Sequence, residues 1–368
     1  MQITLVHVYR VRIPFSFSVD HNLKKRKSSE SLVLSLHGDD GELGYGECTP
    51  RPYVTGESTA EVWQSFQEII QHWPLPRIQK LEDIFSFCRK LEERFAMPSL
   101  VCAWEMALLD LWGKHQRLPL ASLMGKEVDY EPQYSAVLPM LPPLKLEHWL
   151  KKISALNLAH IKIKVGHEGD VADLALARMI MGPEVDIRID ANRAWSLSEA
   201  TQKLEEFQPY HISCVEEPLR EEETGNLSKL AQRTDIPLLL DESLCRKEQL
   251  HFYLNEMSRD SFMVNLKISK LGGLSKCSEI YQIAQKHGIY CQLGCHVGET
   301  AILSAAGRIF AQHHELKYLE GSFAPFFMED DIARQPLFFS SEGKADRIEG
   351  NGLGIEIDPV KLERYSEH

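Results

Sequence analysis

Between Ala159 and Lys270 five short apolar runs each end in charge. IKIKVG carries Lys162 and Lys164, IRIDANRAW carries Asp190 and Asn192, CVEEPL carries Glu216, LLLDES carries Asp241, and MVNLKISK carries Lys267. Each run has strand length, and side chains on a strand alternate faces, so Lys162 shares a face with Lys164 and Asp190 with Asn192. The same spacing pairs Asp241 with Ser243 and Asn265 with Lys267. If those faces point into a barrel, three carboxylates (Asp190, Glu216, Asp241) converge from consecutive strands, with lysines on either side. Three enclosed anions repel one another unless a cation neutralises them. Oxygen ligands without thiolate or imidazole suit Mg²⁺, with Mn²⁺ as a substitute. Any one of these residues alone would read as an ordinary solvated strand end; five in phase and in order do not.

Strands alternating with helical patterns predict a parallel sheet, whose active groups collect at the carboxyl ends of the strands. Eight strands are expected, near 133–141, 159–166, 186–192, 213–219, 237–243, 262–269, 290–295 and 317–322, with seven clear helices between them. That count predicts an α/β fold, a (β/α)₇β barrel, rather than an open doubly wound sheet. Neither GxGxxG after a strand nor GxxxxGK[ST] occurs. Residues 1–125 read as an α+β capping unit of strands followed by helices, residues 126–322 as the barrel, and 323–368 as a tail packing back on the cap. Two irregular stretches, about 15–29 and 49–58, read as loops that reach the substrate. The first carries Lys24, Lys25, Arg26 and Lys27, a basic lid for an otherwise acidic chain.

At 368 residues, 43% hydrophobic and 26% charged, the chain has ordinary globular composition. A net charge of −12 argues against nucleic acid or an anionic membrane surface as partner. Eight scattered cysteines without a CxxC pair predict reduced thiols and a cytoplasmic protein. No apolar run approaches membrane-spanning length, and the N-terminus has no signal-peptide pattern.

The ordered set KIKVG, DANRAW, VEEP, LLLDES and NLKISKLGG, with GYGECTP, PYVTGES and AWEMALLDLWGKHQRLPLASLMG before it, resembles the muconate-lactonizing subgroup of the enolase superfamily. The intervals of 26 and 25 residues from Asp190 to Glu216 to Asp241 agree with that subgroup's metal ligands. The resemblance implies Asp190, Glu216 and Asp241 as Mg²⁺ ligands, Lys164 and Lys267 as the acid/base pair, and Lys162 as a helper that depresses the pKa of Lys164. Glu217 is expected to turn away from the barrel. The family commonly forms homo-oligomers.

Removing a proton α to a carboxylate creates an enediolate, whose charge a dication stabilises. The pairing of a Lys base with Mg²⁺ is the known enolase-superfamily pattern. Two lysines on opposite faces of a planar intermediate suit a racemase or epimerase acting on a small-molecule carboxylate, a dipeptide or N-acyl amino acid. A cycloisomerase, or a syn-dehydratase such as o-succinylbenzoate synthase, passes through the same intermediate. An inactive barrel kept as a binding protein would be expected to have lost a ligand or a lysine, and none is lost.

For the substrate, dipeptide epimerases of the subgroup carry Asp-x-Asp on the last strand; here Glu320 keeps one acid and Ser322 replaces the other. Glu320 and Ser322 are thus expected to face the substrate, with Asn192, Tyr53, Arg26 and His296. Arg26 and its neighbours would suit a second carboxylate. His296 reads as a pocket wall, since no further zinc ligand has suitable spacing.

Overall fold

The N-terminal strands form where apolar and polar residues alternate and close on a GDDG turn. β1 (Ile3–Val11) pairs antiparallel with β4 (Ser31–Gly38), and β4 with β5 (Leu43–Cys48). Between β1 and β4 the chain folds into a second hairpin, β2 (Pro14–His21) and β3 (Lys24–Ser28), where sequence predicts a loop. The reason is legible in PFSFSV, a period-two alternation overshadowed by the basic run after it. The computed structural model describes residues 1–21, 24–129, 131–322 and 324–367, with residues 17–21, 24–26 and 324–325 as backbone alone. The side chain of Arg26 thus lies outside the described atoms.

The helices α1 (Pro52–Thr55), α2 (Thr59–His72), α3 (Leu81–Phe95) and α4 (Pro98–Gln116) follow. α4 is buried almost all round. It presses on β5 so closely that a Cβ on Gly44 or Gly46 would lie 2.3 Å from the Ala107 carbonyl or 1.9 Å from that of Ala103. Only glycine allows this approach.

The barrel strands are β6 (Ala136–Leu138), β7 (His160–Lys164), β8 (Asp186–Asp190), β9 (Ile212–Glu216), β10 (Leu238–Leu240), β11 (Phe262–Leu266), β12 (Cys291–Leu293) and β13 (Tyr318–Leu319). They pair in parallel in chain order, and a bridge between Tyr134 and Leu319 brings the two edges together. The crossovers are α5 (Pro143–Ala155), α6 (Asp170–Met181), α7 (Leu197–Phe207), α8 (Leu227–Ala231), α9 (Lys247–Glu256), α10 (Ile268–Leu271) with α11 (Leu274–Lys286), and α12 (Ala301–His313). After β13 stands only the single turn α13 (Ala324–Phe327); α14 (Pro359–Arg364) and β14 (Ser366–Glu367) end the chain. β14 pairs antiparallel with β1, so the end of the tail lies on the edge of the first sheet.

Two buried carboxylates join the N-terminal unit to the barrel. Glu47 of β5 accepts from the Thr300 and Leu303 amides and the Thr300 hydroxyl at the start of α12. Glu105 of α4 accepts from the Ser275 amide and hydroxyl at the start of α11. Both satisfy donors that a helix N-terminus leaves open. The described residues include eight free cysteines, six of them buried. No described helix is long and apolar enough to cross a membrane.

Candidate active site

Register fixes which residues meet inside the barrel. Lys164 stands opposite Asp190 across β7 and β8, and Asp190 opposite Glu216 across β8 and β9. Lys162 Nζ donates to Glu216 Oε2 at 2.7 Å and to Glu320 Oε2 at 2.9 Å, and lies 3.9 Å from Asp190. Lys164 Nζ donates to Asp190 Oδ2 at 3.1 Å and to Asn192 Oδ1. Asn192 holds a left-handed backbone (φ 44°) with its amide 3.0 Å from Asp190 Oδ1. A non-glycine residue there is strained, and such strain gathers at working sites. From the other side Lys267 donates to Asp241 Oδ2.

The electrostatics follow from burial opposed by pairing. Burial pushes the Glu216 carboxyl up to about 7; Lys162 pulls against it, while Asp190, Asp241 and Glu320 repel its charge. Burial raises Asp241 too, but Lys267 and Lys270 overrule it and hold the carboxyl far below its usual range. Lys162 and Lys267 are both held above the ordinary lysine value, because neighbouring carboxylates outweigh their desolvation. Lys162 is therefore an ion clamped between acids.

Among the described residues no three His, Cys, Asp or Glu groups stand close enough together to hold a metal ion. The ammonium groups of Lys162, Lys164 and Lys267 lie against the carboxylate oxygens instead. The donor set still fits a hard dication: three inward-facing carboxylates offer only oxygen, and the lysines beside Asp190 and Asp241 hold those two in the charged form a metal ligand needs.

Several placements depart from expectation. Glu320 lines the cavity, but both its oxygens are engaged, Oε1 by Arg188 at 2.9 Å and Oε2 by Lys162. An incoming ammonium would meet a neutralised carboxylate. Ser322 falls outside the main cavity, its hydroxyl between Tyr134 and Arg308. Ser243 does not share Asp241's face, because β10 stops at Leu240 and the turn aims its hydroxyl at Glu217. Glu217 is turned from the centre as expected, accepting from the Asp241 and Ser243 amides. Tyr53, Asn192 and His296 line the cavity. His296 bonds Thr49 Oγ1 through Nδ1 at 2.8 Å, and its buried Nε2 has no partner among the described residues. Burial, with Lys267 and Arg51 nearby, keeps its imidazole neutral. Arg51 is tied to the carbonyls of Glu30, Pro50 and Val297 and joins the 49–58 stretch to the barrel.

Three further residues belong to the site. Lys270, one turn beyond Lys267, donates to Asp241 Oδ1 at 2.9 Å and to the carbonyls of Asp241 and Asn265. Glu242 lines the cavity, its Oε2 without a partner among the described residues, and burial together with Asp241 and Glu217 pushes its carboxyl far up. Arg188, fully buried below the lysines, bonds Gln292 and Glu320 and stacks 4.2 Å from the Tyr318 ring centre. It sits two residues before Asp190, so strand alternation alone would have found it.

The cavity over these groups has a volume of about 530 Å³. Residues 146–361 match the model of the enolase C-terminal domain-like family, and residues 1–125 that of the mandelate racemase / muconate lactonizing enzyme N-terminal domain. The chain is 28% identical to a hydrophobic dipeptide epimerase of Enterococcus faecalis, over 96% of this chain and 99% of the other. It is 26% identical to an N-succinyl-L-Arg/Lys racemase of Bacillus cereus, over 83% of each. A dipeptide epimerase from Cytophaga hutchinsonii, solved with Mg and D-Ala-L-Val, superposes with a TM-score of 0.90 at 25% identity, covering 99% of this chain and 98% of that one. Family models spanning both parts of the chain and a barrel with this register lead to one conclusion: this protein is an enzyme of the enolase superfamily, in its muconate-lactonizing subgroup.

Proposed function

We propose that the protein is a Mg²⁺-dependent racemase or epimerase of an N-acyl amino acid that carries no free ammonium group. The observation that carries this reading is the placement of the two lysines. Lys164 ends β7, the second strand of eight, and Lys267 follows β11, the sixth, so they face each other across the barrel with the carboxylates between. Asp190, Glu216 and Asp241 would hold Mg²⁺, which would supply positive charge to the substrate's carboxylate oxygens. Lys267, kept protonated beside Asp241, is the proton donor of the resting pair. Lys164, oriented by Asn192, takes the α-proton; the C–H electron pair passes into the carboxylate as an enediolate, and Lys267 returns a proton to the other face. The reverse direction exchanges the two roles.

Lys162 serves as a fixed cation. Its bonds to Glu216 and Glu320 hold both acids in place. His296 Nε2, without a partner among the described residues, would bond a polar substrate atom. The lack of a free ammonium group follows from Glu320 and Ser322, neither of which offers a free acidic oxygen to such a group. A dipeptide is the second reading, favoured by the likeness to dipeptide epimerases along nearly the whole chain. Chiral chromatography tests the first: N-acetyl-L-amino acids incubated with enzyme and Mg²⁺ should reach a racemic mixture. Epimerised dipeptides with unchanged N-acetyl substrates would show that the site needs a free ammonium group and would overturn this reading.

A further inference from the structure

The cavity does not end at the lysines. It touches both faces of β6: Val137, in register with Lys162, faces the barrel interior, while Ala136 and Leu138, in register with Ile161 and Ile163, face outward. It thus continues over the end of β6 into a bay beside α5. The bay is walled by Trp149, Ile153 and Leu156 and covered by Phe326, Phe327 and Phe339 of the tail. Topology explains why there is space here. β6 has three residues and β13 two, one isolated bridge joins them, and the helix after β13 is a single turn. A full helix would otherwise cover this seam; aromatic rings of the tail cover it instead.

The chemistry of the bay contrasts with that of the floor. Its one charged lining residue among those described is Lys152, exposed, with Nζ 5.1 Å from the Trp149 ring centre. An ammonium group placed among Trp149, Ile153 and the three phenylalanines would lose hydration without gaining a partner, and a carboxylate would find only Lys152, which is exposed to water. An apolar group would gain by leaving water there.

Resting on the racemase reading for the reacting end, we infer that the seam bay is the subsite for the far end of the substrate, and that this end is a bulky apolar group, aromatic or branched aliphatic.

The test is titration calorimetry of the Mg²⁺-loaded full chain with N-acetyl-L-phenylalanine, N-phenylacetyl-L-alanine, N-acetyl-L-alanine and N-acetyl-L-glutamate. At least one aromatic compound should bind about 10-fold or more tighter than the alanine and glutamate derivatives, the usual scale of apolar discrimination. Leu156→Glu and Phe326→Glu should each collapse that ratio. Both positions are half-buried on separate segments, so a folding failure of one variant leaves the other to decide. Glutamate binding as tightly as the aromatics, no measurable aromatic binding, or a ratio unchanged in the folded variants would overturn the inference. Proton exchange in D₂O on the same compounds separates the two readings. Aromatic preference without exchange keeps the bay and sinks the racemase, and exchange without preference does the reverse.

Discussion

Glu47→Gln isolates the carboxylate that joins the first sheet to α12. Two effects compete at this group. The amide donors and dipole of a helix N-terminus favour a charged carboxylate by about 0.3–1 kcal/mol at exposed sites and up to about 2 in buried ones. Complete burial opposes charge, and with Thr300 and Leu303 as partners the balance still leaves the carboxyl raised to about 7. Protonation is thus favoured in the fold more than in the unfolded chain, where a glutamate titrates near 4.3. The stabilisation from holding that proton is complete below about pH 4.3, declines as pH rises, and is gone above about 7. A separation of two to three pKa values corresponds to about 3 kcal/mol. Glutamine keeps an acceptor oxygen and cannot ionise, so urea unfolding at intervals from pH 4.5 to 8 should show wild type losing about 3 kcal/mol relative to the variant. The opposite trend, wild type gaining on the variant as pH rises, would show that the helix terminus wins and that the burial argument is wrong.

Other expectations concern the site and its supports. Lys164→Ala and Lys267→Ala should each fold, with an unchanged melting midpoint, and lose interconversion of enantiomers as read by chiral chromatography, since each removes the base for one face. Mg²⁺ should raise the thermal midpoint of wild type by relieving repulsion among Asp190, Glu216 and Asp241, and EDTA should reverse it; Glu216→Gln should blunt the rise in a melting scan. Gly46→Ala puts a methyl against the Ala103 carbonyl and should cost about 3 kcal/mol in urea unfolding, whereas Gly225→Ala, with open space around it and no positive φ, should cost less.

The barrel and its inward charges were legible because parallel strands keep a strict period of two and end where chemistry begins. Lys162, Lys164, Asp190 and Glu216 obey that period to the last residue of β7, β8 and β9. The period fails once a strand stops early. β10 ends at Leu240 and β11 at Leu266, so turn geometry places Glu242, Ser243 and Lys270, and alternation assigned Ser243 to the wrong side. Ser322 was misplaced for the same reason: β13 ends at Leu319, and a left-handed backbone at Ser322 (φ 53°) turns its hydroxyl toward Arg308. Glu320 lines the cavity, and its partner Arg188 was equally legible, since IRID presents Arg188 and Asp190 to one face. The seam bay depends on three separate segments and has no signature in any of them.

Two-base chemistry across the barrel is tested most directly by following α-deuterium incorporation from each enantiomer of one N-acyl amino acid in D₂O, with Mg²⁺, in wild type, Lys164→Ala and Lys267→Ala. Wild type should exchange both enantiomers and interconvert them. Each variant should fail to interconvert them yet retain exchange of one enantiomer, and the two variants should retain opposite ones. Loss of exchange from the same enantiomer in both variants, or continued racemisation in either, would contradict the assignment of Lys164 and Lys267 to opposite faces of the substrate.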